Sequence, residues 1–297
     1  MRSARGGLRA DVGAIDVHQH LWPPAFIEAL EERDGIPRLD GNALSLPEGT
    51  YEVVLGDHAL ERRVSQLDAA GIEIAIVSLQ PTFGLQALAS DERARLEHVW
   101  EDGVLELAAA SEGRIIPLAT GRLREGFAGV SVGADTFDDL RALAPVLDAL
   151  RGSGLLFVHP VAGIPVPDAP VWWPSLVDYT AQMQRAYFAW LAAGQSRWPD
   201  VNIVFAMLAG GAPIQLERLA SRGVDVRAVL YPNIFFETSS YGRRALEVCV
   251  ETFGVEQLVY GSDVPVIDPL PTLAAIRGFG ESVERLITVV TPNRLLA

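Results

Sequence analysis

At 297 residues and 49% hydrophobic side chains, the chain has the length and apolar content for one large core, and no stretch of it approaches a membrane span. A formal charge of −14 argues against a nucleic-acid partner, and a single cysteine, Cys249, excludes an intramolecular disulfide. The sequence contains no lysine, which removes Schiff-base chemistry and any metal bridge built on a carboxylated lysine.

The N-terminal stretch MRSARGGLRADVG is basic, but no apolar run follows it, so no leader is read there and a cytoplasmic setting is expected. Beyond it, short β-branched runs alternate with stretches of helical periodicity, the pattern of a parallel sheet with helical crossovers. Eight strands are predicted, at 14–17, 74–78, 115–119, 129–132, 155–158, 203–206, 234–237 and 258–260. Between them, Leu60, Val64 and Leu67 mark a helix closed by Gly71, and Leu96, Val99 and Leu107 mark a second. Leu140, Leu143, Leu147 and Leu150 form a third stripe, and Met183, Tyr187, Trp190 and Leu191 a fourth. Cys249 falls with Leu246, Val250 and Phe253 at helical spacing and reads as core filler.

Eight strands and no glycine-rich dinucleotide loop after the first predict an α/β fold of the (β/α)₈ TIM-barrel type, one domain over residues 1–297. The segment TGRLREGFA is too short for a packed helix, so strands three and four should be joined by a helix-less crossover. Segments 21–57 and 160–200 are long insertions after strands one and five, where barrel enzymes build a pocket or lid.

His18 and His20 sit two apart at the end of AIDV, so alternation puts both imidazoles on one strand face. His159 closes LLFV and Asp263 follows LVYGS, both at strand ends on the same rim. Three imidazoles and a carboxylate suit one divalent metal ion, with zinc the first expectation and manganese or magnesium the alternatives. His58 and His98 read as solvated or partly packed histidines.

The runs IDVHQH, LLFVHP, VNIVFAMLAGGAPIQLERL, FFETSS, LVYGSDVP and TPNRLL, in this order across the chain, resemble the amidohydrolase-related family, in its branch typified by aminocarboxymuconate semialdehyde decarboxylase. The resemblance implies a metal-dependent barrel, ligands at His18, His20, His159 and Asp263, and non-oxidative decarboxylation of a small aromatic or unsaturated acid. Hydrolysis of an amide, ester or lactone is the alternative it leaves open. Relatives often dimerise, so a homodimer is an expectation carried by resemblance alone.

The chain departs from the family at one position. Where a motif like AHLGG supplies an acid/base histidine, it reads Ala206, Met207, Leu208, Ala209, Gly210, Gly211. A thioether has no proton to give. Three readings stay open: Asp263 serves as both ligand and proton shuttle, Glu237 has taken over as base, or the barrel is retained for ligand binding without the family reaction. A planar carboxylic acid would need a cation, for which Arg122 and Arg124 are the candidates, and flat walls, for which Trp22, Trp172 and Trp173 are, with Tyr241 a weaker one. Met207 would line the same pocket.

Overall fold

The computed structural model describes residues 13–296; the basic N-terminal stretch and Ala297 lie outside the described residues. Eight parallel strands form the barrel: β1 (Ile15–Gln19), β2 (Ile74–Val77), β3 (Ile115–Pro117, resuming as Ala119–Thr120), β4 (Gly129–Gly133), β5 (Leu155–His159), β6 (Asn202–Phe205), β7 (Ile234–Glu237) and β8 (Leu258–Val259). Each pairs with the next in chain order. Closure comes between β8 and β1, where Val17 N donates to Tyr260 O (2.9 Å), His20 N to Val264 O (2.8 Å) and Asp263 N to His18 O (2.8 Å). All eight predicted strands are present, and residues 121–128 cross from β3 to β4 without a helix.

The first seven α-helices are α1 (Pro24–Glu31), α2 (Leu60–Ala70), α3 (Ser90–Ala110), α4 (Leu140–Ala149), α5 (Tyr179–Ala189), α6 (Met207–Ala220) and α7 (Arg243–Phe253), and the crossover helices among them follow the apolar stripes. In α2 (Leu60–Ala70), Leu67 is buried and Gly71 ends the helix in the left-handed region, φ 74°, donating its N–H to Leu67 and Asp68 carbonyls. Asp139 caps α4 (Leu140–Ala149) by accepting from Arg141 N at 3.0 Å. Trp100, Trp190 and Trp198 are fully buried, and each indole N–H finds an acceptor, on Leu21 O, Gln195 and Asp148 respectively. Cys249 is buried on α7 (Arg243–Phe253), and burial pushes its thiol up to about 12, as befits core filler.

Both insertions hold more structure than their sequences announce. The first contains a helix, Pro24–Glu31, and a three-stranded antiparallel meander of Arg38–Asp40, Ala43–Leu46 and Gly49–Glu52. Those strands are three or four residues long and mostly half-exposed, too short to show alternation. In the second, residues 174–194 are helical around α5 (Tyr179–Ala189), which leaves residues 160–173 as irregular loop and 195–200 as turns. No helix among the described residues is long and apolar enough to cross a membrane.

Candidate metal centre

β1 delivers His18 within the strand and His20 just beyond it, β5 ends on His159, and Asp263 sits in the loop after β8 at φ 62°. One ligand atom from each of these four lies within 4.8 Å of all the others. The imidazole nitrogens establish what belongs at their centre. His18 Nδ1 faces Glu237 Oε2 at 3.0 Å, His20 Nδ1 faces Ser78 O at 3.0 Å, and His159 Nδ1 faces Pro160 O at 2.8 Å. An acceptor opposite each Nδ1 assigns the proton there, so all three Nε2 atoms present lone pairs.

Those lone pairs point at one another: the Nε2 atoms of His18 and His20 are 3.2 Å apart. Asp263 Oδ1 is 3.1 Å from His20 Nε2 and 3.6 Å from His18 Nε2, yet it is buried and accepts no well-formed hydrogen bond. Four acceptors facing inward repel one another unless a cation lies between them, and ligands about 2 Å from a tetrahedral ion stand about 3.3 Å apart. The donor set therefore fits a divalent ion. Burial resists charge on His18, but the carboxylates of Glu237 and Asp263 outweigh it and lift the imidazole to about 9, so without an ion His18 Nε2 takes up a proton, and a bound ion replaces that proton and leaves the lone pair for coordination. Burial, then the charge of His18, holds His159 well below the ordinary imidazole range.

Supports that the sequence did not reveal fix these ligands. Asp16, on β1 itself, accepts from His18 N (3.1 Å), Gln19 Nε2 (2.8 Å) and Ser262 N (3.0 Å), tying the histidine strand to the loop of Asp263. Its burial lifts the carboxyl to about 6 against those hydrogen bonds. Arg63, on α2 and fully buried, donates to Gln19 Oε1, His20 O and Asp57 O, each at 3.0 Å. Nothing in LERRVSQL distinguishes Arg63 from a solvated helix arginine; only packing does.

Several expected roles are corrected. Glu237 is no free base. It is 0% exposed, faces the Nδ1 side of His18, and accepts in addition from Ser239 N, Ser239 Oγ (2.9 Å) and Met207 N (3.1 Å). A Cβ on Gly261 would fall 2.2 Å from Glu237 Oε1, so only glycine lets the chain beyond β8 pass this carboxylate. Arg124 is claimed by the nearly buried Glu101 and by Asp102 at 3.6 Å, because a buried carboxylate requires its counter-ion; Arg122 is exposed beside it, on the helix side of the rim. Neither lines the cavity that holds Trp22.

That cavity, about 360 Å³, is walled by Trp22, His58, Gln80, Tyr179 and Pro265 and by the meander residues Leu44, Glu48 and Tyr51. Trp22 in that wall is buried, its Nε1 on Gln80 Oε1 at 2.8 Å and its ring stacked on His58 at 3.9 Å. His58 is therefore not solvated but 4% exposed, and burial drives its imidazole down to about 3. His98 is exposed and paired with Asp102. Trp173 lines an outer hollow with Glu48 and Tyr51, and Trp172 is 51% exposed. Tyr241 packs against the core, and the partly exposed Met207 opens a run of left-handed residues.

No family model matches the chain. Decarboxylase yanB of Aspergillus niger is 27% identical over 326 aligned residues, covering 92% of this chain and 84% of that protein. Metarhizium anisopliae IDCase superposes at TM-score 0.76 and 18% identity over 95% of this chain and 96% of its own. LigW, a 5-carboxyvanillate decarboxylase from Sphingomonas paucimobilis, does so at 0.75 and 18% over 96% and 99%. The 5-carboxyvanillate decarboxylase of Novosphingobium aromaticivorans, solved with manganese and 4-hydroxy-3-methoxy-5-nitrobenzoic acid, does so at 0.71 and 16% over 98% and 97%. These structures establish the (β/α)₈ fold, and together with the decarboxylase relative they bear out the resemblance to amidohydrolase-related barrels.

Proposed function

We propose that the chain is a metal-dependent carboxy-lyase that removes CO₂ from a small aromatic or unsaturated carboxylic acid. The observation that carries this is the convergence of three Nε2 lone pairs and the unpartnered Asp263 Oδ1, in a barrel similar to decarboxylases. His18, His20, His159 and Asp263 would hold the ion, zinc or, as in the Novosphingobium relative, manganese. When bound, it supplies a Lewis acid for the oxygens of the substrate.

The rest of the reaction falls to the side chains. The bond from the ring carbon to the carboxylate breaks with its electron pair left on carbon and CO₂ departs; Asp263 takes up one proton from solvent water and passes it to that carbon, which restores the C–H bond and leaves Asp263 ionised again. Asp263 takes this role because Met207 has no proton to give and Glu237 is saturated behind His18. Trp22 and the apolar meander residues exclude water and hold a planar substrate flat.

The test is elemental analysis of purified protein followed by CO₂ release from a panel of hydroxybenzoates and muconate-like acids, with ester and lactone hydrolysis as the control. Bound metal with CO₂ release is the expected result. Protein that takes up no metal, or hydrolysis without decarboxylation, overturns the reading.

A further inference from the structure

Beside the metal centre, over the ends of β2, β3 and β4, lies a second cavity of about 240 Å³ to which neither the mechanism nor the similarities assign a role. Its walls include Gln80, Gln86, Arg93, Glu97, Ser131 and Thr136. Gln80 is common to this chamber and the one that Trp22 lines.

Strand register locates it. Ser131 pairs with Phe157 and Gly133 with His159, so Ser131 shares the inward face of the residues around the centre, and the Phe157 ring is 4.9 Å from that of His18. Neighbouring strands stand about 4.8 Å apart and alternate residues rise about 6.6 Å, so the chamber floor is within about 10 Å of His159.

Its polar groups are left with capacity. Ser131 Oγ is buried and has no hydrogen-bond partner, a state that is unfavourable if nothing fills it. Arg93 Nε lies 3.9 Å from Glu97 Oε1, beyond hydrogen-bond reach, and no other partner is found for this guanidinium among the described residues. Gln80 spends its carbonyl on Trp22 and keeps its amide N–H groups. The unspent groups are thus donors, with Glu97 the one competing carboxylate.

We infer that this chamber is a subsite for an acceptor-bearing substituent, a second carboxylate above all, on the ring of an acid held at the metal centre, with Arg93 and Ser131 as its specificity-determining residues. The inference rests on the reading of the centre as an acid-binding site. It also supplies the cation that Arg122 and Arg124 do not.

Calorimetry on the metal-loaded protein tests it with benzoate, isophthalate and 3-carboxyphenylacetate. At least one diacid should bind about tenfold more tightly than benzoate, the scale of one charge-assisted hydrogen bond. Arg93→Met and Ser131→Val should each erase that preference while leaving benzoate affinity as it was, with Ser131→Ala as the milder change should valine disturb the strand. Glu97→Gln should widen the preference by removing the competitor. Absence of a diacid preference, absence of any binding, or variants that weaken benzoate and diacids alike overturn the subsite. A diacid preference without CO₂ release from any acid would instead overturn the lyase reading and leave the subsite standing.

Discussion

The ends of β1 and β6 both reach the barrel rim, and they are built in opposite ways. At β1 the backbone is extended, alternation aims His18 and His20 at one point, and every imidazole nitrogen turned away from that point has its own acceptor. After β6 the chain turns left-handed from Met207 to Gly211, with φ between 50° and 80°, and offers backbone groups instead: Met207 N to Glu237, and Gly210 O to Gln184 Nε2 at 2.6 Å. A Cβ on Gly210 would fall 2.2 Å from Thr180 O, so the close approach of α5 requires glycine there. Ion holding is thus fixed several times over, whereas the rim position where the resemblance places a histidine is held by backbone geometry and carries no proton-transferring group.

The contrast breaks first at the ligands. His18→Ala or His159→Ala should abolish stoichiometric metal binding, a loss of more than about 100-fold in affinity measured by competition with a chelator, because these exceed the 10–100-fold typical of outer partners. Arg63→Met should follow, lowering unfolding free energy by about 3–5 kcal/mol in denaturant titration, since a buried guanidinium with three acceptors leaves them stranded when truncated. Glu237→Gln keeps the shape but loosens the proton on His18 Nδ1. A 10–100-fold weaker metal affinity in a folded barrel is expected, and an unchanged affinity would show that the β1 end does not depend on this carboxylate.

Acid stability sharpens the comparison from the side of the Trp22 wall. Native His58 accepts a proton only near pH 3, while in the unfolded chain it does so near 6.5, so between those values the unfolded state binds more protons and stability falls as pH falls. Two pH units below 6.5 the loss from this group is about 2.7 kcal/mol. Asp16, raised to about 6, works oppositely: its contribution is present below the unfolded carboxyl value and fades as pH rises through 6. Comparing His58→Asn with the parent from pH 7 to 4.5 isolates the histidine, and equal acid slopes would contradict the assignment. The smallest effect, with its sign reversed, is expected at Ala209→Gly: relieving φ 52° in a residue with a Cβ should raise stability by about 1 kcal/mol.

What the sequence disclosed was what local periodicity encodes. Strand ends followed from β-branched runs, the shared face of His18 and His20 from alternation, and the end of α2 from Gly71. Long-range pairing was hidden. That Glu237 faces the back of His18 and not the pocket depends on the β7 register; that Arg124 is taken depends on Glu101, 23 residues earlier on another element. His58 looks like any helix-start histidine until Trp22 stacks on it, and Arg63 like any surface arginine until β1 packs over it. The meander escaped because its strands lie below the length at which a period of two is distinguishable from chance.

The join between β8 and β1 has a consequence for assembly of the fold. His18 and Asp263 are 245 positions apart in the chain and meet only across that seam, a contact whose sequence separation makes it among the most costly in chain entropy. A partly folded chain with β1 through β7 in place has three of the four donors but not the fourth, so full ion affinity arrives only when the last strand docks. The ion then acts as a clasp on the closing step, and its binding free energy becomes folding free energy concentrated at one edge of the molecule.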